Sequence, residues 1–527
     1  MRFTSFWLVT MATVPGAVRA QVATAESGPV IDTIIVTTQN VFGAEEARRN
    51  VLFRIANSIR FTTRANVVRR ELLFEAGEVY DSATAAESER NLRALGIFQG
   101  AAIDSSTVDG KLVVTVRTFD SWSTNFNLNG GFTAGTFTWS VVLAEQNFVG
   151  TATQVDVSYR KEPDRTATRV GTRLRRAFAS SIAVFGFYES LSDGKRGIWA
   201  VGSPFRAFTD RHAIQVTGER ADHRVLQFQT RSAVDQDTVE FNRRVFYNRV
   251  DATVAPIATT GQYLRTGISA QVKREEFVPW SDRDLAFPDT ITGTVGFFAE
   301  YRRANFKVVT HYNGFARAED LDLSATVRLT TWLAPSAFGY DRSGVGPRLS
   351  AAAGASLPFG FLRGRLLAGG LFTSAGLDSG RVVVSMTLGS QFFSRQATFV
   401  NVQAGMMESP TPGLEFDLGH GIGPRSFGPH SLTGDRAVWG TFEHRIFLVD
   451  EFLGLLGLGA ATFIDYGGAW FDGIAEPQFG GNVGFGLRLG ATRATGINVG
   501  RFDLGYRFGE GWSGNRWALS IGRGFLF

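Results

Sequence analysis

From about Asp120 to Phe527 the chain is a succession of roughly ten-residue segments in which polar and apolar side chains alternate, broken by Gly, Pro, Asp and Asn. Segments 153–160, 238–242, 321–329 and 398–403 show the pattern, the first of them imperfectly, so the argument rests on the whole set. Successive side chains of a strand point to opposite faces, so this period builds a sheet with one greasy and one wet face. A mean hydropathy of −0.01 is what two such faces average to. With 60 Gly and 46 Phe, the composition is unusual for a soluble protein of 527 residues. The 408 residues of this region (527 − 119), at about 25 per strand and connection, predict about sixteen strands. No fixed short repeat supports a solenoid or propeller. The fold expected is mainly β: a transmembrane antiparallel β-barrel over 119–527.

The N-terminus predicts export. Arg2 supplies a positive region, 6–12 a short apolar run, Pro15-Gly16 a break, and Val18-Arg19-Ala20 a small-residue cleavage site. Residues 1–20 therefore read as a signal peptide, and 21–28 as a short segment after it. No Cys is present, so disulfides, thiolate chemistry and lipid anchoring at a mature Cys are excluded. No later run approaches the 18 apolar residues of a spanning helix; the longest, 452–464, is Gly-rich and reads as a strand with its turn. An exported chain without such a helix is soluble, secreted or a barrel, and the alternation selects the barrel. The formal charge of +5 falls to +3 without Arg2 and Arg19 (5 − 2), and no dense Lys/Arg run points to nucleic acid.

Residues 29–118 have a different period and predict a small α/β domain. Residues 30–36 are a β-branched strand. Thr62-Thr63-Arg64 can cap a helix through Leu73 with Val67, Val68, Leu72 and Leu73 on one stripe, and Gly77 stops it. A second helix runs from about Ser82 to Leu95 and ends at Gly96. Strands follow on either side of an Asp109-Gly110 hairpin turn.

Two runs of this domain, Leu72-Leu73-Phe74-Glu75-Ala76-Gly77-Glu78-Val79-Tyr80-Asp81 and Leu92-Arg93-Ala94-Leu95-Gly96-Ile97-Phe98, resemble the polypeptide-transport-associated (POTRA) module of BamA- and TamA-type outer-membrane proteins. The connection 41–61 is longer than a minimal module needs. The barrel region adds four further resemblances. Residues 143–151, with Glu145, Asn147 and Gly150, are similar to a hairpin after the family's first barrel strands. Gly423-Pro424-Arg425-Ser426-Phe427-Gly428 resembles the family's inward-folded loop, with Ser426 where Gly is usual and Pro424 where an aliphatic residue is usual. That departure puts the local backbone in question, because Ser tolerates positive φ poorly. Residues 463–470, carrying Asp465, are similar to a family barrel strand whose carboxylate meets the loop Arg. An unpaired buried charge is expensive, so an Arg425–Asp465 pair is expected, with Phe427 beside it and Glu443 as a second partner. Ser520, Gly522, Phe525 and Phe527 fit the outer-membrane sorting signal.

The resemblance implies a seam between the first and last barrel strands. The first is expected over about 125–135, where Asn125, Asn127, Gly130 and Gly131 are poor β-formers, and Gly522 and Gly524 weaken the last. It further implies an assembly or protein-translocation factor that receives unfolded client polypeptide in the periplasm and inserts or exports it. The partners implied are outer-membrane lipids, clients and accessory periplasmic proteins or lipoproteins. A passive pore or structural barrel without clients, or a two-partner-type secretion channel, is the alternative. No nucleophile elbow, H-E-x-x-H or phosphate-binding loop occurs, so no catalysis, metal or cofactor is expected. Glu45-Glu46 and Glu275-Glu276 read as solvated charge.

Overall fold

A computed structural model describes residues 28–523, apart from 59, 134–135, 178–179, 229–237, 281–289, 340–341, 420–421, 474–475 and 494–498. The expected signal peptide, and Gly524, Phe525 and Phe527, lie outside the described residues.

Strand β1 (Ile31–Gln39) is followed by helices α1 (Ala44–Arg49), α2 (Val51–Ser58), α3 (Ala65–Arg69) and α4 (Ser82–Ala94), then strands β2 (Phe98–Val108) and β3 (Lys111–Asp120). The three strands form one sheet in the order β1-β3-β2, with β1 parallel and β2 antiparallel to β3. Asp109 and Gly110 both have positive φ, 50° and 76°, the geometry that suits a two-residue hairpin. Asp81 caps α4 by accepting from the Thr84 hydroxyl at 2.6 Å and from the Thr84 and Ala83 N–H groups, which together hold its carboxyl below the usual range. One helix departs from expectation. The helix expected to run to Leu73 stops at Arg69 and has no side-chain cap, because Thr63 is occupied elsewhere. Its N–H donates to Asp120 Oδ2 at 2.9 Å, and its hydroxyl accepts from Asn147 of the barrel at 2.8 Å.

Among the described residues, twenty antiparallel strands from Thr124 onward form one closed ring, where sixteen were expected. Several hairpins connect through only two or three residues, such as 192–193, 358–359 and 259–261, so each strand with its connection uses about twenty residues instead of twenty-five. In strand Gln478–Ala491, Val483, Phe485, Leu487 and Leu489 are exposed while Asn482 and Arg488 are buried. Apolar outside and charged inside is the inverse of a soluble sheet and matches a wall facing hydrocarbon. No described helix is long and apolar enough to cross a membrane.

A segment enters the interior from each mouth. From the side away from the α/β domain, residues 409–435 fold back into the lumen and carry a small sheet of Phe416–Leu418 and Leu432–Gly434. Phe416, Leu418, Phe427 and Leu432 are buried there against Met407 and Ala469 of the wall. From the domain side, residues 304–324 do the same as a hairpin of Phe306–Val309 and Glu319–Asp322. Phe315, Leu321 and Leu323 of this segment pack on Phe361, Phe399 and Phe447 of the wall. Segment 321–329, expected as one strand, is therefore two pieces. Asp322 ends the hairpin, and the wall strand begins at Ala325.

Candidate functional site: an interior arginine, a short seam and a domain joint

Arg425 sits in the inward-folded loop, on the turn that Phe427 N–H closes to Pro424 C=O at 3.1 Å, and its side chain has no solvent exposure. Its Nε and Nη2 hold the two oxygens of Asp465 at 2.7 and 3.0 Å, the two-pronged geometry that the planar guanidinium favours. Its Nη1 reaches Glu443 at 2.7 Å and Asp503 at 3.4 Å, and its backbone N–H also points at Asp465, 3.2 Å away. The guanidinium lies 3.8 Å over the Phe463 ring. The expected residues Arg425, Asp465 and Glu443 are thus brought together, with Phe427 buried beside them.

The structure adds residues that the sequence did not single out. Asn482 donates to Asp465 at 2.9 Å, Arg445 to Glu443 at 2.7 Å, and Arg488 to Asp503 at 2.6 Å. Three buried carboxylates are thereby shared among Arg425, Arg445, Arg488 and Arg501, whose Nε lies 3.7 Å from Asp503, so each charge in the set faces an opposite one. The signal was the period-two placement of charge in Glu443-His444-Arg445 and Arg501-Phe502-Asp503, which puts both members of each pair on the lumen face. Ser426 resolves the doubt about its backbone. Among the described residues it is not one with positive φ, its N–H donates to Asn482 at 3.2 Å, and Gly505 opposite leaves room for its hydroxyl.

His430, at the far end of the same loop, sits between Asp164 at 2.7 Å and Asp417 at 2.6 Å. Burial opposes its charge, but the two carboxylates outweigh it and push the imidazole up to about 10. A folded pKa above the unfolded one stabilises fully below the unfolded value near 6.5 and is lost as pH rises through about 10. The ring is therefore expected to titrate as an imidazolium at pH 8, and a neutral His430 at pH 8 by ring NMR would contradict this geometry.

The ring closes between strands Thr124–Thr133 and Trp517–Arg523. Among the described residues, two pairs join them, Leu519 with Phe132 and Ser520 with Gly131. Strand Val499–Gly509 pairs with Trp517–Arg523 through seven, and Thr124–Thr133 with its other neighbour through ten. Asn125 is buried and Asn127 half-buried, while Phe126 and Leu128 between and beyond them are exposed, so the Asn side chains share the lumen face. Gly130, Gly131 and Gly522 lie along the same seam; a Cβ on Gly522 would come 2.9 Å from Arg501.

The Asn147 hairpin, open to reading as an ordinary turn, is the joint to the α/β domain. Val149, Gly150 and Ala152 all have positive φ (53°, 72° and 55°), a costly run for non-glycine residues. Asn147 holds it: its Oδ1 accepts from the Ala152 N–H at 2.8 Å while its Nδ2 reaches Thr63. Gly150 C=O accepts from the Arg64 N–H, and a Cβ at Gly150 would meet Thr62 O at 2.4 Å. Beside this joint Arg60 pairs with Asp120 at 3.0 Å, although burial pushes the carboxyl up and the guanidinium down.

The hairpin 304–324 ties the domain to the lumen. Asp320 accepts from Arg93 of α4 at 2.8 and 3.0 Å, and Arg317 donates to Phe98 C=O of β2 at 2.5 Å. On its other side Tyr312 C=O accepts from Arg445 at 2.7 Å. A continuous line of bonds therefore runs from the Arg425 loop through Glu443, Arg445 and the hairpin to α4. Glu275, expected to be solvated, is likewise buried in the wall and paired with Arg243 at 2.5 Å.

No family model matches the chain. It is 23% identical over 291 residues to outer membrane protein assembly factor BamA of Neorickettsia risticii, a match covering 54% of this chain and 36% of that protein. The chain thus spans about a third of that relative's length. Among solved structures it is similar to BamA from Haemophilus ducreyi lacking POTRA domains 1–3 (9% identity, 94% of this chain and 85% of that one, TM-score 0.41). It is also similar to CdiB from Escherichia coli (12% identity, 97% and 93%, TM-score 0.47). The wall, greasy outside and charged within, is that of an outer-membrane β-barrel, and the sequence is similar over 54% of its length to a BamA assembly factor.

Proposed function

We propose that this protein is an assembly or translocation factor of the outer membrane, which takes client polypeptide in the periplasm and inserts or exports it without a catalytic step. The observation that carries this reading is the seam. Among the described residues two pairs join these strands, against seven and ten in the neighbouring ladders, which supports a wall that opens there first. Opening exposes unpaired N–H and C=O groups to a client strand, and hydrocarbon penalises leaving them unsatisfied. A folded segment enters the lumen from each mouth and packs on the wall, which favours the wall over the lumen as the client's route. The strand-helix-strand-strand domain resembles a POTRA module, whose sheet edges suit addition of an extended client strand. Accessory periplasmic proteins or lipoproteins are partners on the same reading.

Depletion of the protein followed by profiling of the outer-membrane proteome tests this. Loss of several barrels supports general assembly, and loss of one secreted protein supports dedicated export. An unchanged membrane and secreted proteome would leave a barrel without clients.

A further inference from the structure

The insertion 41–61 lies outside the ββ pairing and the α3–α4 pair that complete the domain, and nothing in the client-handling reading uses it. Its described residues hold one another. Val41 and Phe42 are buried, the Phe42 ring stacks on Phe53 at 4.0 Å, and Asn57 bridges both backbone groups of Phe42. It is pinned to the barrel rim. Arg493 ties Glu46 of α1, 3.2 Å away, to Glu451 of the wall at 2.7 Å, and the Arg493 C=O accepts from Trp122 just before the first barrel strand. Phe53 reaches to 3.8 Å of the space beside Gly454, at the tip of a domain-side hairpin.

An eight-residue helix is too short to hold itself in water and needs its apolar side covered. In α2 the opposite occurs: Val51, Leu52 and Ile55 are exposed, Leu52 by 72%. The hairpin that Phe53 touches is exposed in the same way, through Leu448, Phe452, Leu453 and Leu455, and this row is the lower end of the lipid-facing wall. Arg48 and Arg54 are exposed around the apolar residues, as is Arg49, which lies 3.6 Å from Glu45 of the same helix. Apolar residues at the level of a membrane rim, continuous with the hydrocarbon-facing wall and flanked by cations, match an interfacial helix whose charges meet phosphate headgroups.

We infer that α1–α2 is a membrane-interface anchor, with Val51, Leu52 and Ile55 seated in the phospholipid of the periplasmic leaflet. This fixes the height of the soluble domain beside the seam. The inference rests on the barrel being embedded in the membrane, and it stands whether or not the protein handles clients.

The chain has no Cys, so single labels are specific. The full chain with Leu52→Cys carries an environment-sensitive fluorophore and is reconstituted in phosphatidylethanolamine–phosphatidylglycerol vesicles; Ser106→Cys, on exposed β2 of the same domain, is the reference. The Leu52 label is expected to be blue-shifted and quenched several-fold more by lipid-borne spin labels than the Ser106 label, at every protein-to-lipid ratio. Equal quenching at the two sites overturns the inference. So does protection at Leu52 that appears only at high protein density, which would make a second copy the occupant. Heat-modifiable migration of both labelled proteins confirms that each barrel is folded before it is scored.

Discussion

Asp465→Ala is expected to lower the thermal midpoint of the folded barrel steeply and to abolish activity. The substitution removes both oxygens that Nε and Nη2 of Arg425 hold, and leaves that guanidinium buried with Glu443 and a distant Asp503. Breaking a buried pair on one side costs about 3–5 kcal/mol, because the remaining charge is neither hydrated nor fully paired. Heat-modifiable migration on gels reads the midpoint, and an unchanged midpoint would contradict the network. The double reversal Arg425→Asp with Asp465→Arg is expected to recover only part of the loss. An Asp at 425 would stand beside Glu443 and Asp503, so the new pair forms next to two like charges. Full recovery would show an isolated pair instead of a shared set.

Phe315→Ala is the second large effect expected. Phe315 is 4% exposed, packs edge-on against Phe447 at 5.3 Å, and lies over Gly457 and Gly490, where a Cβ would come within 2.4 Å of its ring. Those glycines leave a slot that only a flat ring fills, and Ala cannot. A cavity of that kind costs about 3–5 kcal/mol and loosens hairpin 304–324 from the wall. Ion conductance across planar bilayers should therefore rise for Phe315→Ala while Trp517→Ala, on the lipid face, leaves it unchanged. Equal conductance for Phe315→Ala and the parent would mean that the hairpin does not close the periplasmic mouth.

The sequence carried the alternation, the order of the domain's strands and its longest helix, and the Arg425–Asp465 contact. Each rests on a local pattern: period two, a capping Asp81, or a motif that brings its own partner. What it could not carry depends on where distant segments end up. Leu321 and Leu323 alternate as wall residues do, and period two does not say whether a strand joins the wall or tucks inside it. Asp503 and Arg488 reach the Arg425 site through the registers of separate strands, set by pairing along the whole ladder. The strand count failed on connection length alone. Thr63, expected as a helix cap, was taken by the joint with Asn147, where tertiary contacts override a local preference.

On the proposed function, clients use the seam and not the lumen. Gly131 and Ser520 face each other across it, and the chain has no other Cys to interfere. In the variant Gly131→Cys with Ser520→Cys, oxidation should stop client insertion in reconstituted vesicles, and a reductant should restore it. Each single-Cys variant should be indifferent to both treatments. Full insertion activity with the seam locked would contradict the account and return the lumen as the route.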